Sequence, residues 1–396
     1  MTAPALDAEP ACPGSLEPRP RPASEAPSAY AEERPFDSIP RATWDRLAAQ
    51  NPWSTPFSAW AFHRAWWDAY GDNAHDQTLV VCRGDGSTDA EPIAIVPLMH
   101  RHEVEPTDAV THTTMRHGSD LRLTPVAPTA TAILFGASYH ADYATVLADP
   151  ADLPAVSRAV AAYVASPPSG DWDVVDLRRL RCADPTGAEL AAALGALEMA
   201  NGWTLNVERE DVCPVVTFPA GVDIEGFLAT LGKKERHEIR RKVRRAEAVG
   251  EVRLVDSTDP QADLDVFIDL HQRRWGADGL FPPTRGGDQS RVLFRRLIEL
   301  FGPDGPLVLS TLWVGDRRIA AGVHFETATD LLYYNAGIDP EARELSPGVL
   351  MIHAYVRRAL ERGIRRMDFL RGDEPYKYEW GAVNEPVQRL LVRRSA

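Results

Sequence analysis

Lysine is nearly absent from this chain. Of its 43 basic residues only Lys233, Lys234, Lys242 and Lys377 are lysine; all others are arginine. A guanidinium is a planar fork, whereas an ammonium is a compact point charge on a flexible stem. The few lysines therefore mark places worth reading first. Three fall in one basic run, Lys233-Lys234-Glu235-Arg236-His237-Glu238-Ile239-Arg240-Arg241-Lys242-Val243-Arg244-Arg245. The fourth stands among acids and aromatics in Arg371-Gly372-Asp373-Glu374-Pro375-Tyr376-Lys377-Tyr378-Glu379-Trp380-Gly381.

Other shortages exclude whole classes. The four cysteines, Cys12, Cys82, Cys182 and Cys213, are scattered, with no Cys-x-x-Cys or Cys/His spacing for zinc or a redox pair. That usage predicts no structural disulfide and a reducing compartment. No stretch approaches the ~20 apolar residues of a membrane helix. The N-terminus lacks the apolar core of a signal peptide, so a cytoplasmic location is expected. Positive charge is short overall: the net charge is -14 and the pI about 5.3, which argues against a general nucleic-acid binder. A local basic patch can still hold a phosphate.

What is present is a globular composition, 44% hydrophobic, long enough for two domains. Residues 1–34, rich in Pro, Ala and Glu, read as a disordered tail. Beyond it, one pattern occurs twice. Thr78–Cys82, a Gly84-Asp85-Gly86 turn and Ile93–Leu98 form a hairpin; so do Val308–Val314, Gly315-Asp316 and Arg318–Phe325. Each hairpin is followed by a strand (Ala132–Phe135; Leu331–Asn335), a helix (Leu153–Ala165; Pro347–Arg362) and a closing strand (Val174–Arg178; Met367–Arg371). The fold class is α/β (α+β): two lobes over 35–205 and 206–396, each a mixed, mostly antiparallel sheet flanked by helices. The aromatic cluster Trp53, Phe57, Trp60, Phe62, Trp66 and Trp67 reads as core of the first lobe.

Candidate sites lie in the second lobe. In Arg343-x-x-Ser346-Pro347-Gly348-Val349, Ser346 is a helix N-cap and Pro347 the first helical residue. Free N–H groups at such a terminus suit an anion. The basic run forms a helix docked by Ile239, Val243 and Ala246, with Arg240 among the cations available to a phosphate. His271 follows the apolar stripe of a helix over Leu264–Trp275 and could act as a base. Asp373, Glu374 and Lys377 form a charge cluster after a strand, beside Arg371 and Tyr376.

These phrases resemble the acetyltransferase domain of the GNAT superfamily found in cellulose-biosynthesis CelD-type proteins. The matching stretches are Leu231–Lys242, Leu270–Trp275, Tyr334–Pro340, Ser346–Leu350 and Asp368–Tyr378, with Pro56-Phe57 and Asp142-Tyr143 similar to that family's N-terminal region. The resemblance implies two GNAT-like lobes, as in Fem-type aminoacyltransferases, and acyl transfer from acyl-coenzyme A (acetyl-coenzyme A) without a metal. It places Arg343, Ser346, Gly348 and Val349 at the loop that holds the donor's pyrophosphate, although Ser stands where that loop has its first Gly. It supports Lys377 as a substrate-contacting cation in catalysis; the nucleophile must lose a proton, for which Glu374, Asp373 or His271 would serve as base. Arg371, Tyr376, Tyr334, Asn335 and Arg240 would contact substrates, a small molecule or saccharide being the acceptor. The alternatives are a Fem-type ligase that uses aminoacyl-tRNA and meets it with the basic helix, or a non-catalytic binding module in polysaccharide or envelope assembly.

Overall fold

The computed structural model describes residues 29–84, 90–101, 123–127, 129–166 and 170–394. The first half contributes strands β1 (Ala29–Glu33), β2 (His75–Asp76), β3 (Leu79–Arg83), β4 (Pro92–Val96), β5 (Leu98–Arg101), β6 (Ala132–Phe135), β7 (Leu147–Ala148) and β8 (Val174–Arg181). Its helices are α1 (Arg41–Gln50), α2 (Trp60–Tyr70), α3 (Leu153–Val164), α4 (Pro185–Gly195) and α5 (Glu198–Asn201). The second half supplies β9 (Trp203–Thr217), β10 (Val252–Asp256), β11 (Leu307–Val314), β12 (Arg317–Glu326), β13 (Asp330–Ile338), β14 (Arg366–Asp368) and β15 (Val383–Arg394). Between these lie α6 (Ile224–Thr230), α7 (Lys233–Glu247), α8 (Pro260–Trp275), α9 (Arg285–Phe301), α10 (Pro347–Glu361) and α11 (Pro375–Tyr378).

One sheet runs through both halves in the order β10-β11-β12-β13-β14-β9-β15-β8-β6-β5-β2; a smaller sheet pairs β1-β3-β4-β7. The doubled unit is visible in its geometry. β6 and β8 are parallel over Ala132–Leu134 and Val174–Asp176, and β13 and β14 are parallel over Asp330–Leu332 and Arg366–Asp368. The remaining pairs are antiparallel. The copies differ at Pro97. It has no N–H to give a ladder, so the strand corresponding to β12 breaks there; β4 pairs with β3 in the small sheet and β5 with β6 in the large one.

The halves are stitched together by two long strands. β9 runs across residues 205 and 206, pairs with β14, and lies beside β15 over Val383–Arg394; β15 continues the sheet into β8 of the first half. A shared apolar cluster, including Phe57, Phe62, Trp66, Tyr143, Cys213, Phe325, Leu332 and Leu391, seals the junction. Phe57, Phe62 and Trp66 are therefore core, because α2 packs against α9 of the other half.

Two expectations change. The tail is not featureless to residue 34: Ala29–Glu33 pairs with Leu79–Arg83 as an edge strand, because Tyr30 can face the core cluster under α1. Met1 to Ser28, together with Asp85 and Gly86 of the expected turn, lie outside the described residues. Cys82 and Cys213 are free and buried, but Cys182 is disulfide-bonded. Spacing along the chain carries no information about such a bond, so the cysteines no longer argue for a reducing compartment. Among the described residues no helix is long and apolar enough to cross a membrane.

Candidate active site

β13 and β14 stay together for three residue pairs and then part, while β13 runs on beside β12 as far as Ile338. A cavity of about 500 Å³ opens in the gap. The second half lines it with Tyr333–Ala336 of β13, Phe369–Arg371 after β14, His271, Arg274 and Trp275 of α8, and Glu374, Tyr376 and Lys377 around α11. β9 adds Asp211, and the loop after β6 adds Tyr139, His140 and Asp142 from the first half.

α8 reaches the cavity because the sequence starts it firmly and lets it lie close. Asp259 caps it, its side chain accepting from the Ala262 N–H at 3.2 Å, and Pro260 opens the first turn. At Gly337 a Cβ would come within 2.4 Å of the His271 nitrogen, so only glycine allows this approach to β13. His271 is thereby buried in an aromatic box, 5.3 Å from the Phe281 ring and 5.8 Å from Phe267. Beside it Arg274 stacks over Trp275 at 4.6 Å.

Lys377 differs most from expectation. It is 2% exposed, not a surface cation. Its Nζ donates to the carbonyls of Leu370 (3.1 Å), Arg371 (2.8 Å) and Gly372 (2.9 Å) and lies 2.8 Å from the Glu374 carboxylate. An ammonium has three protons, and three carbonyls with one carboxylate take them all. Lys377 thus clamps a turn in which Leu370 has φ +58° and Gly372 φ +108°. The backbone carbonyls that hold it leave no trace in sequence, which shows only the charge cluster.

The carboxylates divide by environment. Asp142 meets Arg371 at 2.5 Å, an ion pair between the halves. Burial would lower the Arg371 pKa, but Asp142, Glu210 and Asp211 outweigh it and hold the guanidinium charged. Asp211 is pushed up to about 6, mainly by burial; Arg371 and the Val212 N–H, which donates to its Oδ1 at 2.8 Å, only partly offset this. Burial also raises the phenols of Tyr333, to about 12, and of Tyr334 and Tyr376.

The cavity thus gathers His271, Tyr334, Asn335, Arg371, Glu374, Tyr376 and Lys377 from among the expected residues. Asp373 is not part of its wall, and Arg240 is on α7, paired with Glu225 of α6 at 2.6 Å. Arg343, Ser346, Gly348 and Val349 stand at the start of α10, outside the wall. Ser346 occupies the N-cap position of that helix at φ +57°, but its side chain makes no capping bond and accepts instead from Arg245 of α7 at 2.8 Å. Its carbonyl takes the Val349 and Leu350 N–H groups at 3.0 and 3.2 Å. A Cβ on Gly348 would meet nothing nearer than Ile338 Cδ1 at 3.9 Å, so the helix start is open beside the end of β13. Asp142, His140 and Asp211 were missed as site residues. One signal was available for Asp211: Glu208-Arg209-Glu210-Asp211 puts four charges inside a strand flanked by Val207 and Val212. Among the described residues no cluster of His, Cys, Asp and Glu could hold a metal ion.

Residues 233–378 match the family model described as an acetyltransferase (GNAT) domain. That stretch, within the second half, is thus similar to a GNAT acetyltransferase domain. No curated protein matches the chain. Among solved structures, that of FemX superposes with a TM-score of 0.56 at 10% identity, over 88% of this chain and 96% of its own. A conserved protein of unknown function from Bacteroides thetaiotaomicron gives 0.53 at 13% identity, over 90% and 98%. A tandem GNAT protein from the clavulanic acid pathway gives 0.47 at 9% identity, over 92% and 98%. The first two likenesses show a shared fold.

Proposed function

We propose that this protein is an acyltransferase that moves an acyl group from an acyl-coenzyme A thioester to an amine or hydroxyl. The acceptor is a small molecule or saccharide, in polysaccharide or cell-envelope metabolism of the kind the CelD-type resemblance implies. The observation that carries the reading is a raised carboxyl, Asp211, beside a fixed cation, Arg371, in a cavity at the parting of β13 and β14. The donor's pyrophosphate fits the start of α10: Gly348 leaves open space, and Arg245 already reaches Ser346 there. Ala336 lines the cavity two residues before Ile338, which touches that helix start. A donor anchored at α10 can thus lay its thioester along the end of β13.

In the reaction the acceptor nitrogen or oxygen attacks the thioester carbon, the C–S bond breaks, and the acceptor's proton passes to the Asp211 carboxylate and on to the departing thiolate. Holding both substrates in one cavity supplies proximity. Backbone N–H groups near Asn335–Gly337 and the Arg371 charge favour the negative oxygen of the intermediate. Glu374 and Lys377 hold the turn that presents Arg371.

The Fem-type reading rests on one specific feature, the largely exposed cations of α7, which is docked by buried Ile239 and Ala246. A thermal-shift and calorimetric screen separates the two. Acyl-coenzyme A raising the melting temperature, with no response to tRNA, supports the proposal; the reverse supports a tRNA-dependent ligase. Coenzyme A-dependent binding without thiol release on any acceptor would leave a binding module.

A further inference from the structure

The loop after β6 belongs to the first half yet lines the second half's cavity, and within it His140 is held in an unusual way. Its φ is +91°, a left-handed conformation that a non-glycine residue adopts only when its surroundings impose it. Those surroundings are explicit. The Tyr334 hydroxyl donates to the His140 carbonyl at 3.0 Å, and Nε2 lies 2.8 Å from the Tyr70 hydroxyl and 3.5 Å from Ser290 Oγ. Tyr70 and Ser290 are themselves 3.0 Å apart, on α2 and α9. The ring also stands against Tyr139 at 4.4 Å. Strain of this kind concentrates at functional sites.

Either partner can donate in the contact between the Tyr70 hydroxyl and Nε2, and its direction fixes which ring nitrogen carries the proton. If a tyrosine hydroxyl donates to Nε2, the neutral imidazole must carry its proton on Nδ1. No protein group among the described residues bonds Nδ1, and the half-buried ring contributes to the cavity wall. Burial, with Arg179 and Arg371 nearby, lowers this histidine to about 3, so it stays neutral through the working range. A neutral imidazole with Nδ1–H facing a reaction cavity is a hydrogen-bond donor, not a base.

We infer that His140, supplied by the first half, is a catalytic residue whose Nδ1–H donates to the acyl carbonyl oxygen and strengthens that bond as the oxygen becomes negative. This deepens the proposed acyl transfer and rests on it. No proton moves to or from His140, so the balance of the reaction is unchanged. Tyr70 acts as a positioning residue that fixes the tautomer. The first half is then not only a scaffold: the site is incomplete without its loop.

Three substitutions test this. Asparagine places an N–H close to the Nδ1 position and tolerates positive φ; glutamine places its amide nearer Nε2; leucine has neither. With acyl-coenzyme A and an accepting amine, His140→Leu and His140→Gln are expected to lose more than ~100-fold in kcat. The donor KM should change little, and His140→Asn should recover to within ~10-fold of the parent. Tyr70→Phe should lower kcat with the same KM. If His140→Leu turns over like the parent, or asparagine rescues no better than glutamine, the inference is overturned while acyl transfer stands. If the parent itself releases no thiol with any acceptor, acyl transfer fails first, and ¹⁵N chemical shifts of the His140 ring still decide its state. A neutral Nδ1–H tautomer unchanged down to pH 5 is expected, and an Nε2–H tautomer or titration above pH 5 contradicts it.

Discussion

The parallel pairs β6–β8 and β13–β14 are one arrangement used twice, and they finish in opposite ways. Both end on an aspartate, Asp176 and Asp368, opposite Leu134 and Leu332. Both are followed by a residue at positive φ, Arg179 at +68° and Leu370 at +58°. In the first half the gap is closed. Ala144 bridges to Leu180, its N–H donates to the Arg179 carbonyl at 3.0 Å, and the buried Arg179 guanidinium bonds the Ser138 and Ala141 carbonyls and Glu210. Asp176 is gripped by Arg178 at 2.9 Å and Arg389 at 2.7 Å; burial would raise it, but these guanidiniums win and hold it low. In the second half the gap is left as a cavity. Among the described residues Asp368 takes the Tyr143 hydroxyl at 2.7 Å and the Leu370 N–H at 2.8 Å, and burial raises it to about 6. The same topology is thus spent once on stability and once on an open site, and the closed copy lends its loop to the open one.

The comparison can be broken most severely at its buried cations. Lys377→Ala leaves three carbonyls and Glu374 without their partner, so urea unfolding should show a loss of about 3–5 kcal/mol. Lys377→Arg should also destabilise, because a planar fork cannot meet three converging carbonyls. A fully stable Lys377→Ala with turnover abolished would instead make Lys377 a substrate contact. Asp176→Asn removes the charge that Arg178 and Arg389 share and should cost about 3 kcal/mol, while kcat/KM per folded molecule stays within ~2-fold. A selective loss of turnover would deny the first gap its purely structural role.

Asp211→Asn should do the opposite of Asp176→Asn. A carboxyl held near 6 rather than 3.8 favours the folded state when protonated, so its contribution is full below pH 3.8 and lost as pH rises through 6. Asparagine should therefore raise the melting temperature at pH 8, by an amount equivalent to at most about 3 kcal/mol, and change it little at pH 4. Smaller still, Gly348→Leu should weaken acyl-coenzyme A binding in calorimetry about 10-fold, near 1.4 kcal/mol, with the fold intact. The smallest effect is at the N-terminus. Deleting residues 1–34 removes β1 and should lower the melting temperature.

Both hairpins, their following strands and the helices α3 and α10 were legible in sequence, because alternating apolar residues and glycine turns act locally. The joining of the halves was not. β9 and β15 pair across about 180 residues, and nothing near Trp203 or Val383 announces a partner so distant. The site was half legible. Phrases such as Tyr334-Asn335 and Arg371-Gly372 carried it, while Lys377 was found for the wrong reason: its rarity stood out, but its burial depends on backbone carbonyls. Asp211, His140 and Asp142 enter the cavity through sheet order, which no local pattern encodes.

The central claim is that acyl transfer takes place where β13 and β14 part, with Asp211 taking the proton. The direct measurement is the pH dependence of thiol release from acyl-coenzyme A by the parent and by Asp211→Asn, alongside donor affinity by calorimetry. The account predicts a parent rate that rises with pH through about 6 and then levels, and an Asp211→Asn protein that binds the donor equally well but turns over more than ~100-fold more slowly at every pH. An Asp211→Asn protein with the parent's rate and the same pH limb would contradict it.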